Sequence, residues 1–236
     1  MKTRFWEIDF VRGIAVVLMV VFNYAFALDY LHIYTATNGW LFWWLFPRLA
    51  AGTFILVAGV SAVVSYQRNK SVKRRVRRGA MIFGWGLLIT LVTFIFVPQE
   101  TVWFGILHLI GLSVMLSPLL IKLEKYNLPV GLAIALIGFY IGNITIGSPL
   151  LLWLGFVPYN FATLDYFPVL PWLGVFLVGM YFGMRFYTKG KRTFNIKEPR
   201  GAGIINFIGR HSLFIYLIHQ ILLLFVLYSF GLLGAF

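Results

Sequence analysis

The sequence predicts an all-α protein: a polytopic integral membrane helical bundle of about seven transmembrane helices, built as one domain over residues 1–236. Three observations lead there. Apolar residues make up 61% of the chain and aromatic residues 19%, more than a soluble domain of this length can hide in one core, so lipid must cover the remainder. Charged residues are only 11% and gather in short gaps between apolar runs. The runs themselves approach the roughly 20 residues that a helix needs to cross hydrocarbon.

In chain order the candidate spans are 10–28, 47–66, 79–97, 103–121, 128–146, 167–186 and 212–233. Lys2 and Arg4 precede the first, which ends in the small-x-small pattern Ala25-Phe26-Ala27, as a cleaved signal peptide would. Glu7, Asp9 and Arg12 interrupt its front, so a retained first helix is expected instead. Between the fifth and sixth spans, 149–157 is apolar but too short to cross and reads as interfacial or re-entrant. The polar stretch 188–199 reads as a solvated loop. Gly138 with Gly142 and Gly179 with Gly183 stand at the four-residue spacing that lets helices approach closely in lipid.

Lys and Arg outnumber Asp and Glu by 20 to 7, a net charge of +13. A nucleic-acid partner is excluded as the reason, because the basic residues follow the positive-inside pattern. Counting the spans from one to seven, the even gaps and their edges hold Arg68, Lys70, Lys73, Arg74, Arg75, Arg77 and Arg78, then Lys122 and Lys125, then Arg185 to Arg210. The odd gaps hold Asp29, Glu100 and Asp165 and no Lys or Arg, apart from Arg48 at the head of span two. The expected topology is a multi-pass protein of the cytoplasmic membrane, amino terminus inside and carboxyl terminus outside.

The chain has no Cys, which excludes disulfides, thiolate nucleophiles and Cys-ligated metals, and no metal is expected. An ionisable group at membrane depth costs several kcal/mol and is a functional candidate by default. Here these are Arg12, Arg48, His108 and His219, joined by the amides Asn23, Asn143 and Gln220. Helical rise puts Asn23 and His108 roughly 8 Å below the outer ends of their spans, within reach of Asp29, His32, Asn38, Glu100 and Asp165. The same rise puts His219 about 10 Å above the inner end of span seven, in a different layer. A polar vestibule over a polar membrane core suits moving a group or an ion better than anchoring. A transporter or channel for a small anion or lipid-linked substrate, lined by Arg12, Arg48 and His108, is the alternative from residues alone.

Four segments together resemble a known family: RFWEIDFVRGIAVVLMVVFN at 4–23, FGILHLIGLS at 104–113, DYFPVLPWLG at 165–174 and GRHSLFIYLIHQ at 209–220. They are similar to prokaryotic relatives of the catalytic membrane domain of heparan-α-glucosaminide N-acetyltransferase, within the wider transmembrane acyltransferase group. The resemblance implies acyl transfer across a membrane, from a cytoplasmic acyl-CoA co-substrate such as acetyl-CoA to a sugar or glycoconjugate acceptor on the outer side. The wider group has Arg, ten residues, then His in its first span. Here Arg12 is followed by Asn23, and His32 in the first loop is the position that matches the loop His of the lysosomal enzyme.

Acetyl transfer from a thioester needs a base for the acceptor proton and donors for the developing oxyanion. The resemblance points to His32 as base or as acyl carrier. Asn23 would donate to the thioester carbonyl or orient the imidazole, with Asp29 or Asp165 fixing its tautomer. Arg77 and Arg78, nearest the start of span three, are candidates for the phosphates of CoA. Arg12, His108 and His219 are counted with them as candidate acyl-CoA contacts. Membrane lipids are the other expected partners, and assembly into a homo-oligomer stays open.

Overall fold

The computed structural model describes residues 4–30, 39, 41–142 and 144–229. Eight α-helices follow one another among them: α1 Trp6–Tyr30, α2 Phe46–Arg68, α3 Val72–Phe96, α4 Ile106–Leu120, α5 Asn127–Ile141, α6 Val169–Phe186, α7 Ala202–Arg210 and α8 Ser212–Ser229. They fall into two compact units, Met1–Phe54 with Ile196–Phe236 and Ile55–Asn195, the division lying inside α2.

In the first unit α1 is the central element. Its 25 residues give a rod of roughly 37 Å, long enough for the hydrocarbon layer of about 30 Å. Phe22 and Phe26 meet Phe42, Trp43 and Phe46 with ring centroids 6.0–6.5 Å apart, joining α1 to the π-helical turn Leu41–Leu45 and the head of α2. The short helix α7 packs antiparallel on the first turns of α1. Its Gly209 lies against the Asp9 backbone and its Ile205 against Gly13, so closely that a Cβ on either glycine would collide with a carbonyl oxygen.

In the second unit α3 pairs antiparallel with α4 and α5 with α6. The inner face of α3 carries Arg75, Gly79, Ile82, Gly86 and Thr93 at helical spacing, while Met81, Trp85, Leu88 and Ile95 lie exposed on other faces. Small residues set the contacts, as lipid-embedded helices require. Gly111 abuts Gly79, Gly131 abuts Gly174, and Gly179 and Gly183 abut Leu56, Val60 and Val63 of α2. Of the four glycines singled out by spacing, Gly138 also touches a neighbour, Pro171, whereas Gly142 meets only its own turn.

Two connections are stitched by single buried side chains. Between α2 and α3, Arg75 donates to the carbonyls of Ser71, at 2.8 Å, and Asn69, and its guanidinium covers the Tyr66 ring at 4.5 Å. Between α4 and α5 the chain turns at Glu124 (φ 45, ψ −119), and the Asn127 amide donates to the carbonyls of Leu120 and Glu124 at 3.1 and 3.0 Å.

Five helical segments among the described residues are long and apolar enough to cross a membrane: Trp6–Asp29, Leu41–Arg68, Val72–Phe96, Ile106–Ile141 and Val169–Phe186. The count of about seven expected from sequence differs from this in two places. Expected spans four and five form one helical run without a gap, broken only by the non-helical Glu124, and each half has 15 residues, roughly 22 Å. Expected span seven is helical as Ser212–Ser229, and its end lies outside the described residues. The non-crossing stretch is a 3₁₀ helix, Pro149–Leu154. The polar stretch after α6 contains a small hairpin, Tyr187–Thr188 paired with Lys191–Arg192, whose turn residues Lys189 and Gly190 have φ of 52 and 73.

The glycine contacts carry a direct expectation. Gly179→Ala forces α2 and α6 apart and lowers stability by about 1–3 kcal/mol. Gly84→Ala, where a Cβ meets nothing within 4 Å, leaves stability unchanged or slightly raised. Thermal melts of the two variants in detergent that coincide would contradict the packing.

Candidate functional site

Polar groups that lipid does not tolerate gather at two levels of the first unit. At the first turn of α1, Asp9 is 4% exposed and faces three guanidinium groups. Arg4 Nε lies 3.0 Å from Oδ2, Arg12 Nη1 3.4 Å from Oδ1 and Arg210 Nε 3.7 Å from Oδ2. A carboxylate suits this place, because the helix N-terminus presents unpaired N–H groups and the positive end of its dipole. Arg12 therefore pairs with Asp9 within one turn. Arg210 comes from the far end of the chain, and no local pattern announces it.

Further along α1, Asn23 Nδ2 lies 2.9 Å from His219 Nε2 on α8. The sequence expectation had put these two groups in different layers, and the structure corrects it. The estimate placed the first residue of α8 at the foot of the bundle. A depth counted along one helix does not fix a level on another, and the contact puts His219 at the level of Asn23. His219 is 4% exposed, its Nδ1 lies 3.2 Å from the Ile215 carbonyl, and the Tyr216 ring stands edge-on at 5.3 Å.

In the second unit His108 and Asp165 meet at the start of α4. His108 is 2% exposed. The Gly105 N–H donates to its Nδ1 at 3.2 Å, which leaves the proton on Nε2, 3.3 Å from Thr90 Oγ1, and that hydroxyl in turn donates to the Val102 carbonyl at 2.6 Å. Phe83 meets the ring edge-on and Phe104 stacks on it, with centroids at 5.1 and 5.5 Å. Both ring nitrogens are thus engaged, Nδ1 at the head of α4 and Nε2 with α3. Asp165 Oδ2 accepts from Ile106 N at 3.0 Å and is so close to Gly105 that a Cβ there would collide with it. Its loop is zipped to the chain ahead of α4, Leu164 N to Glu100 O at 3.1 Å and Phe167 N to Phe104 O at 2.9 Å. Around this zipper, burial raises the Glu100 carboxyl above its ordinary value and pushes the Tyr166 phenol up to about 12, which keeps it a donor to Leu152 O at 2.8 Å.

The remaining sequence candidates are placed as follows. Arg77 and Arg78 are exposed on the first turns of α3, while Arg75 of the same basic run is buried. Arg48 bonds the Trp44 carbonyl at 2.7 Å and lies over that ring at 4.4 Å. His32, Asn38 and Asn143 lie outside the described residues, as does the side chain of Gln220. The polar vestibule expected from sequence thus rests partly on residues outside the described set. Sequence reasoning missed Thr90, the relay from His108 to Val102, and missed the Asn23 link of His219. The one available signal was that Asn23 and His219 are both polar groups inside apolar runs.

The Asp165 geometry separates a capping role from a chemical one. Asp165→Ala is expected to lower stability by about 1 kcal/mol through the lost N-terminal bond. Asp165→Asn keeps an acceptor and the fold. An Asp165→Asn protein that melts like the parent but has lost transfer activity would assign the carboxylate to chemistry as well.

Across residues 4–221 the chain matches the family model described as heparan-alpha-glucosaminide N-acetyltransferase, catalytic. No curated protein and no solved structure matches it. The matched region takes in the Asp9 cluster, the Asn23–His219 pair, His108 and Asp165, and nearly the whole of the described chain. With the apolar helices around these groups, it follows that this membrane protein belongs to the heparan-alpha-glucosaminide N-acetyltransferase catalytic-domain family.

Proposed function

We propose that the protein is a multi-pass acetyltransferase of the cytoplasmic membrane, taking an acetyl or other acyl group from cytoplasmic acyl-CoA to an amine or hydroxyl of a sugar or glycoconjugate on the outer side. The observation that carries this reading is the family match over residues 4–221. A buried Asn–His pair 2.9 Å apart on two apolar helices supports it, because a passive anchor has no use for such a pair.

The chemistry assigned to this chain is direct. The acceptor nitrogen or oxygen attacks the thioester carbonyl carbon while His32 takes its proton. Asn23 donates an amide N–H to the oxygen that becomes negative. The carbon–sulfur bond then breaks, CoA leaves as a thiolate, and the proton held on His32 passes to that sulfur. On the donor side Arg77 and Arg78 are free of the turn that Arg75 closes, and their exposed guanidinium groups suit the phosphates of CoA. Arg12 stands as a further donor-side candidate.

Release of free thiol from acetyl-CoA by the purified protein separates this reading from a transporter, which consumes no thioester. His32→Ala is expected to cut that release by about 10²- to 10⁴-fold, the usual contribution of a general acid/base. A residual rate within a factor of a few of the parent removes His32 from the chemistry.

Sidedness has its own check. A membrane-impermeant thiol reagent applied outside intact cells should label Thr35→Cys, Gln99→Cys and Thr163→Cys and spare Ser71→Cys and Tyr126→Cys. Labelling of Ser71→Cys from outside overturns the orientation and takes Arg77 and Arg78 away from a cytoplasmic donor with it.

A further inference from the structure

We infer that His219 is the positioning partner of Asn23, holding its side-chain amide in the one orientation that presents an N–H donor to the reacting carbonyl. The inference rests on the acyl-transfer reading above and adds to it a residue that acts through another.

The proton on the His219 ring can be located from its neighbours. Nδ1 lies 3.2 Å from the carbonyl of Ile215, one turn earlier on α8. A carbonyl oxygen only accepts, so Nδ1 carries the hydrogen and Nε2 presents its lone pair. Asn23 Nδ2 faces that lone pair at 2.9 Å, so the amide donates one of its two N–H bonds to the ring. The ring is held in turn by burial and by the edge contact with Tyr216, itself 5% exposed.

This bond decides which end of the amide points where. The terminal torsion of Asn is broad and roughly two-fold, so without a partner the amide exchanges Oδ1 and Nδ2 at little cost. With Nδ2 tied to His219, the second N–H and Oδ1 have fixed directions. A flipped amide would bring an oxygen to the place where the transition state develops negative charge, turning a stabilising donor into a repulsive acceptor. His219 needs no contact with substrate for this. Its bond to the Ile215 carbonyl supplies the correct tautomer, as the third member of a triad does for its imidazole.

The test uses the full chain purified in nanodiscs, with acetyl-CoA as donor and glucosamine as the probe acceptor, reading thiol release. His219→Ala should lower kcat about 2-fold, because the freed amide divides between two orientations of similar energy and only one presents the N–H, with KM for acetyl-CoA unchanged. His219→Gln, whose amide oxygen accepts from Asn23, should recover most of the loss. Asn23→Ala should lose about 10²- to 10³-fold as an oxyanion donor does, and His219→Ala added to it should cost nothing more. A His219 loss that persists in full on the Asn23→Ala background, or a His219→Gln protein no better than His219→Ala, overturns the inference. If His219→Ala does not fold, the His219→Gln kinetics and the ¹⁵N resonances of His219 decide. The Nδ1–H tautomer, with an Nε2 signal that moves on Asn23→Ala, supports the pair, and the opposite tautomer overturns it. A parent protein that shows this NMR signature yet releases no thiol overturns the acyl-transfer reading itself, and the positioning role falls with it.

Discussion

Inside hydrocarbon there is no water to bond a stray backbone N–H or C=O, and each one left unpaired costs several kcal/mol. Helices meet this constraint along their length, and the places where they stop expose how the chain meets it elsewhere. Arg75 closes the carbonyls between α2 and α3, Asn127 those between α4 and α5, and Asp165 with His108 the N–H groups at the head of α4. Each is a polar side chain that pairs backbone groups left open where a helix ends. That is why residues which look like candidate chemistry in the sequence turn out to be occupied with the backbone. His108 is the clearest case, since its Nδ1 takes the Gly105 N–H and its Nε2 feeds a relay through Thr90 to Val102.

The second constraint follows from the first. Lipid is as apolar as the helix surfaces, so helix association gains little from burying apolar area and depends on close packing. The helices of the second unit approach until glycines on one touch the backbone of the other, as Gly111 does at Phe83 and Gly79. Approach this close fixes the register between helices to within a residue, and register determines which polar side chains meet. The same close approach occurs in the first unit, where Gly209 and Gly13 touch the facing backbones of α1 and α7.

Charge is handled differently from polarity. Asp9 is placed where a helix N-terminus favours an anion, and the surrounding arginines come from before α1, from its second turn and from the end of α7. Two of the three keep their heads largely in solvent, with side chains 63% and 46% exposed, while Arg12 is mostly covered at 17%. The cluster thus ties distant parts of the chain to one buried carboxylate, whose charge is balanced by arginines of which two stay partly in solvent. Further along α1 the described residues bring together an amide and an imidazole, Asn23 and His219.

The sequence by itself determined the helical membrane class, most of the long apolar helices and the family, because hydropathy, span length and short motifs are local properties written along the chain. Arg12 beside Asp9 was legible for the same reason, being one turn apart. The tertiary structure alone decided that Arg210 joins Asp9, that Arg75 leaves its basic run to close a turn, that Asp165 caps α4, and that Asn23 meets His219. Each of these joins elements through a helix register or a local chain reversal, and hydropathy carries no information about either. The expected separation of Asn23 from His219 failed on that point: a rise of 1.5 Å per residue measures depth along one helix, but the level at which a helix starts is set by what its neighbour packs against.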